Sequence, residues 1–233
     1  MSATAGPVPT AATTGRRWDL PGCSDPPPER LSSAREVAMF ERLREVWRRS
    51  STAGEAYPAE LAFMLRNPLR RLILSPRGMV RRLDPAPTDR VLEVGPGPGY
   101  FSLELAQAVP RGMLLLMDLQ PAMLAKARTR LSRARARNVR YQAADARALP
   151  YAEASIDLAL LVAVLGEVPD KKAALAELYR VVRPGGRLNL TEQPGDADFI
   201  SLAEITALAE QAGFQATRHW GGRSNYSAEF RRP

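Results

Sequence analysis

The sequence predicts a doubly wound α/β sheet, mostly parallel, with a C-terminal antiparallel hairpin and a helical extension in front of it. Three observations carry that prediction. From residue 90 onward, short apolar runs rich in Val, Leu and Ile alternate with segments of helical period, the pattern of a parallel sheet covered on both faces. The first run, RVLEV, leads directly into GPGPG and then into a helical segment, so the chain turns sharply at the end of its first strand. The last two runs, QATRHWG and NYSAEFR, are separated only by a short Gly-containing turn, so they pair antiparallel.

Taken in order, residues 1–28 are rich in Pro, Gly, Ser, Thr and Ala without an apolar period, and are expected to be a disordered tail. Residues 29–84 read as a helical extension. Ser33 with Glu36 makes a capping box, and Val37, Phe40, Leu43, Val46 and Trp47 fall on one helical face. AELAFMLRN stops before Pro68, and LRRLILSPRGMVRRL continues with an interruption at Pro76. Apolar faces of that size must dock on the sheet domain of residues 85–233, either as a lid, part of residues 33–83 covering the mouth of the site, or elsewhere as a cover for the sheet. In that domain RVLEV, GMLLLMDL, VRYQAA, DLALLVAVL and RLNLTE read as strands, each followed by a helix. Pro121 suits a first helical turn, Asp170 caps KKAALAELYRVV, and Pro184-Gly185-Gly186 ends that helix. Ser201 with Glu204 opens a last helix that Gly213 closes.

A chain of 233 residues that is 45% hydrophobic has room for one sizeable core. No apolar run approaches the roughly 20 residues of a membrane span, and the first 30 residues lack a secretory apolar segment, so a soluble, cytoplasmic protein is expected. The single cysteine, Cys23, excludes an intrachain disulfide and a cysteine-cluster metal site; no metal is expected. The formal charge of +8 raises nucleic acid and anionic membranes as partner classes. Its main sources are two acid-free runs, from Arg66 to Arg82 and from Lys126 to Arg140. In the second, basic residues spread around a predicted helix rather than forming one stripe, which reads as a solvated basic surface.

The chemistry concentrates where the first strand ends. Without a Cβ, Gly95, Gly97 and Gly99 let a ligand approach the backbone, and a helix starting at Tyr100 would offer N–H donors to an anion. Ligands of such sheets sit at the carboxyl ends of the strands. A dinucleotide fingerprint, G-x-G-x-x-G, is not met, because Tyr100 stands where its third glycine belongs.

The run from Glu93 to Gly99, E-x-G-x-G-x-G, instead resembles the first motif of the class I S-adenosylmethionine-dependent methyltransferases. MDLQPAML (117–124), AADARALPYAEASID (143–157) and LLVAVLGEVPDKKAALAELYRVVRPGGRLNLTE (160–192) resemble that family's later motifs in order. The likeness covers roughly residues 68–232 and is nearest to the "methyltransferase type 11" group. It implies a Rossmann-like fold, S-adenosyl-L-methionine as cofactor and S-adenosyl-L-homocysteine as product. It also implies that Asp118 holds the ribose hydroxyls, and that Asp145 with the Ala146 backbone meets the adenine amino group. Glu93, Gly95, Gly97, Gly99, Tyr100, Leu119 and Val162 complete the implied cofactor-binding set; Tyr100 either covers the methionine end or packs the helix. Carboxylates suit the ribose because each accepts two hydrogen bonds, while the cofactor's own carboxylate suits the N–H groups of the glycine loop.

A sulfonium methyl is already activated, so the protein has to place an acceptor, with or without a base. Glu167, in LGEVPD, and Glu192, after the fifth strand, are the candidate catalytic residues; each also reads as a plain loop carboxylate. His219 reads as structural. The expected substrate is a small-molecule acceptor whose attacked atom, O, N or C, is left open. Enzymes that methylate nucleic-acid amino groups carry an Asn/Asp/Ser-Pro-Pro-aromatic motif where this chain has LGEVPD, which argues against nucleic acid. Arsenic methylation needs several soft thiolates. A quinone or lipid acceptor, reached by peripheral membrane contact through the arginine-rich stretch 57–82, stays open, as does a module that binds the cofactor without catalysis.

Overall fold

The computed structural model describes residues 75–193, 198–223 and 225–233. The tail over 1–28, the extension up to residue 74 and the lid or cover that it was expected to form lie outside the described residues. The rest is built from α1 (Pro76–Leu83), β1 (Arg90–Val94), α2 (Ser102–Ala108), β2 (Met113–Asp118), α3 (Pro121–Arg133), β3 (Val139–Ala143) and β4 (Ile156–Val162). There follow α4 (Lys171–Val181), β5 (Val182–Glu192), α5 (Leu202–Gln211), β6 (Gln215–Gly221) and β7 (Tyr226–Arg231).

The seven strands form one sheet in the order β3-β2-β1-β4-β5-β7-β6. Strands β1 to β5 are parallel, and β7 runs antiparallel between β5 and β6, as the hairpin pattern requires. Because side chains alternate along a strand, each strand feeds both faces. Val91, Leu114, Leu116, Leu158 and Leu160 pack against α1, α2 and α3 on the first face. Leu92, Val94, Leu161, Leu188 and Leu190 pack against α4 and α5 on the second. Each fully buried Leu or Val is worth about 1.5 to 3 kcal/mol of transfer free energy, so the central strands anchor the fold. The order of the sheet reverses at β1 and β4, whose carboxyl ends therefore flank the crevice where ligands of such sheets bind.

The expected caps at Asp170 and Ser201 are present, and Ser75 adds one that the sequence reading did not name. Ser75 accepts from the Gly78 N–H and Asp170 from the Ala173 N–H, while Ser201 accepts from the Glu204 N–H. Pro76 opens a helix rather than interrupting one, since at the first turn its missing N–H has no partner to lose. Three expectations need correction. No helix follows β3 among the described residues: 144–155 is a chain of turns, pinned by Arg180, which donates to the Leu149 and Tyr151 carbonyls, and by Glu177, which accepts from the Leu149 N–H. Pro184-Gly185-Gly186 does not end α4, which stops at Val181; it forms an excursion within β5, where the register against β4 jumps between Ile156 and Leu158. Gly185, at φ +74°, turns that excursion so that its N–H reaches the Arg232 carbonyl at 2.7 Å. Finally, α2 begins at Ser102, two residues beyond Tyr100.

Candidate functional site at the carboxyl edge of the sheet

The glycine loop leaves β1 with Gly95, Gly97 and Gly99 all at positive φ, between +54° and +77°. Their N–H groups are spent inside the protein: Gly95 donates to the Met117 carbonyl, Gly99 to the Pro96 carbonyl, and Gly97 to Asp118 Oδ2 at 3.2 Å. The expected offer of glycine N–H donors to the cofactor's carboxylate is therefore not what this loop presents; it offers room. A Cβ on Gly95 would lie 2.5 Å from a methyl of Val164, and one on Gly99 would press on Ala127 and Leu131 of α3. The glycines let the loop nest between the β4 turn and α3.

Asp118 ends β2 nearly buried, tied to Gly97 through one oxygen and to the Gln120 N–H through the other at 2.9 Å. Burial raises its carboxyl above the ordinary range, and the two N–H donors pull it back. Each oxygen keeps a lone pair, so a vicinal diol is a suitable partner. Leu119 is 59% exposed, the one large hydrophobic that stands out among the described residues. An apolar side chain left in water next to a tethered carboxylate suits a ligand with a polar sugar and a flat apolar ring.

Glu93 is buried beneath the loop, and the Ser102 hydroxyl donates to its Oε2 at 2.6 Å. Burial pushes its carboxyl up to about 7, with Asp118 adding to the rise and Ser102 and Arg130 opposing it. Glu93 thus braces the first turn of α2 from inside. The sequence reading missed Ser102; its place nine residues after Glu93, just past the last glycine, was the available signal.

At the end of β3, Asp145 is held by Arg147, whose Nη2 donates to Oδ2 at 2.6 Å and whose backbone N–H donates to Oδ1 at 2.8 Å. That pairing holds the Asp145 carboxyl below the ordinary range. Ala146 between them is buried in the second-face core, so the turn presents Asp145 outward. Arg147 is another residue the sequence reading passed over. Val162 closes β4, half-buried, and Ala163 after it sits at φ +53°, a left-handed conformation costly for any residue with a Cβ. The Ala163 N–H donates to the Thr191 carbonyl, which fixes this kink against β5.

The remaining candidates separate. Tyr100 is buried in the first-face core with its ring edge-on to Phe101, the packing alternative of the two readings. Glu167 is partly exposed in the turn after β4. Glu192 is buried at the end of β5, opposite Tyr226, on the second face. Tyr226 is raised well above the ordinary phenol range, first by burial and then by the Glu192 and Glu204 charges, and its hydroxyl donates to the Ile200 carbonyl. His219 lies on edge strand β6. No group of His, Cys, Asp and Glu among the described residues is arranged to hold a metal.

A seven-stranded sheet of this order, with a glycine loop after β1 and a tethered acid at the end of β2, is the fold that solved S-adenosylmethionine-dependent methyltransferases share. Residues 91–186 match the family model described as methyltransferase domain. An arsenite methyltransferase of Halobacterium salinarum is 29% identical over 150 residues, covering 56% of this chain and 38% of the relative. A demethylmenaquinone methyltransferase of Thermus thermophilus is 39% identical over 112 residues, covering 48% of this chain and 50% of the relative. The chain thus spans half or less of these relatives' lengths. A solved S-adenosylmethionine-dependent methyltransferase of Aquifex aeolicus shares the fold, with a TM-score of 0.69 at 20% identity over 76% of this chain and all of that one.

Proposed function

We propose that this protein transfers the methyl group of S-adenosyl-L-methionine to a small organic acceptor and releases S-adenosyl-L-homocysteine. The observation that carries the proposal is Asp118, a buried strand-end carboxylate tethered to the glycine loop with lone pairs left for a ribose diol. Leu119 would lie along the adenine, Asp145 and the Ala146 backbone would meet its amino edge, and Val162 with the glycine loop would border the methionine end. When bound, the cofactor supplies the activated methyl; the chain's part is to orient it and to exclude water. Of the two candidate carboxylates, Glu167 is the one favoured to take a proton from an acceptor or to orient it, being partly exposed in the turn after β4, whereas Glu192 is buried opposite Tyr226 on the second face.

The relatives' names point to arsenite and to demethylmenaquinone. Arsenic needs several soft thiolates, and the one cysteine here is Cys23, so an organic acceptor of quinone-like size is favoured over arsenite. Among the described residues no helix is long and apolar enough to cross a membrane; a cytoplasmic location is part of the proposal. So is a lid formed by part of residues 33–83 over the acceptor. A screen of metabolite fractions with methyl-labelled cofactor tests the reaction. Label transferred to an extractable small molecule supports it, whereas label found only in nucleic acid, or in no acceptor while the cofactor binds, rejects it.

A further inference from the structure

We infer that the surface formed by α3 and edge strand β3 docks on an anionic lipid membrane. From Leu119 to Ala144 the chain has no acidic residue and seven basic ones, between Lys126 and Arg140. All of these but Arg130 are exposed. The two acids that bound the run are already engaged, Asp118 by the Gly97 and Gln120 N–H groups and Asp145 by Arg147. Arg133, Arg135 and Arg137 make no ion pair with any described residue. They follow one another through the end of α3 into the turn before β3, where Arg135 takes φ +59°. Nothing described therefore neutralises these three arginines, and uncompensated cations at such density favour a dense anionic surface.

The apolar side of α3, with Met123, Leu124, Ala127 and Leu131, is buried in the core, so attraction and not insertion would hold the contact. Two observations favour lipid over nucleic acid. The Tyr141 ring, the aromatic within the patch, has the Arg128 guanidinium over it at 4.8 Å and is closed to stacking with a base. The basic side chains also lie on both flanks of α3 and along the sheet edge. Laterally mobile headgroups accommodate such a spread, whereas the fixed phosphates of a nucleic acid call for a stripe or groove.

The test is co-sedimentation of the full chain with vesicles of phosphatidylglycerol and phosphatidylcholine (about 30:70) and of phosphatidylcholine alone, without cofactor, so that failure leaves the methyl-transfer proposal untouched. Binding to the anionic vesicles alone, weakening as salt rises, is expected. The variant Arg133→Ser/Arg135→Ser/Arg137→Ser should bind them roughly 100-fold more weakly at low salt, on the usual contribution of each basic residue near a membrane surface. The control Arg77→Ser/Arg81→Ser/Arg82→Ser removes the same charge elsewhere and should keep most of the binding. Thermal melts establish that both variants are folded. Equal losses in the two variants, equal binding to both vesicles, or binding to a mixed-sequence oligonucleotide in place of vesicles would each overturn the inference.

Discussion

Glu93 shows how one buried carboxyl ties stability to pH. Its folded carboxyl is raised from the ordinary 4.5 to about 7, so between these values the unfolded chain has released a proton that the folded chain retains. Its contribution is fully present below about pH 4.5 and is lost as the pH rises to about 7, and Glu93→Gln should remove a fall in stability of a few kcal/mol across that window. Urea unfolding at pH 5 and pH 7.5 checks this; an unchanged pH slope in the variant would show that Glu93 is not the group responsible. Arg147 acts on Asp145 in the opposite sense. In Arg147→Ala the Asp145 carboxyl should titrate at higher pH, so cofactor affinity should begin to fall at a higher pH than in the parent; superimposed pH profiles would remove Asp145 from the cofactor contacts. Glu93, Asp118 and Asp145 were legible from their motifs. Ser102 and Arg147 were not, because neither side chain acts by itself and each shows its role only through the carboxylate it holds.

Among the elements, the glycine loop is defined by what surrounds it. Gly95→Ala places a Cβ 2.5 Å from Val164 at φ +65° and should destabilise the protein by about 2 to 4 kcal/mol, adding left-handed strain to overpacking. Val164→Ala in the same chain should recover the packing part and not the strain. Melting curves of the single and double variants decide this, and a harmless Gly95→Ala would mean that the loop relaxes easily. Strands and capped helices were readable because apolar period and cap residues are local signals. The segment after β3 and the PGG excursion were not. The first is fixed by Arg180 and Glu177 reaching across from α4, the second by pairing with the last residues of the chain. Both are contacts between residues far apart in sequence, which no local pattern records.

At the scale of the whole molecule, a mostly parallel sheet with an antiparallel hairpin at its end was legible from strand and helix alternation and the short turn before the last strand, whereas the strand order is set only by pairing between distant segments. The identity of the acceptor was not legible either, since one fold of this kind serves many substrates. The lid proposal gives the chain ahead of residue 84 a distinct role. Deleting residues 1–28 should leave cofactor affinity and turnover nearly unchanged, whereas deleting through Arg49 should weaken cofactor retention and slow turnover. A folded protein truncated at Arg49 with full activity would refute the lid. The central claim is met most directly by calorimetric titration of the full chain with S-adenosyl-L-methionine and with S-adenosyl-L-homocysteine, beside the Asp118→Ala variant. The account predicts saturable one-site binding of both compounds, weakened in the variant by about 1 to 3 kcal/mol for the lost charged acceptor; a folded parent protein that binds neither, or a variant that binds both as tightly as the parent, would contradict it.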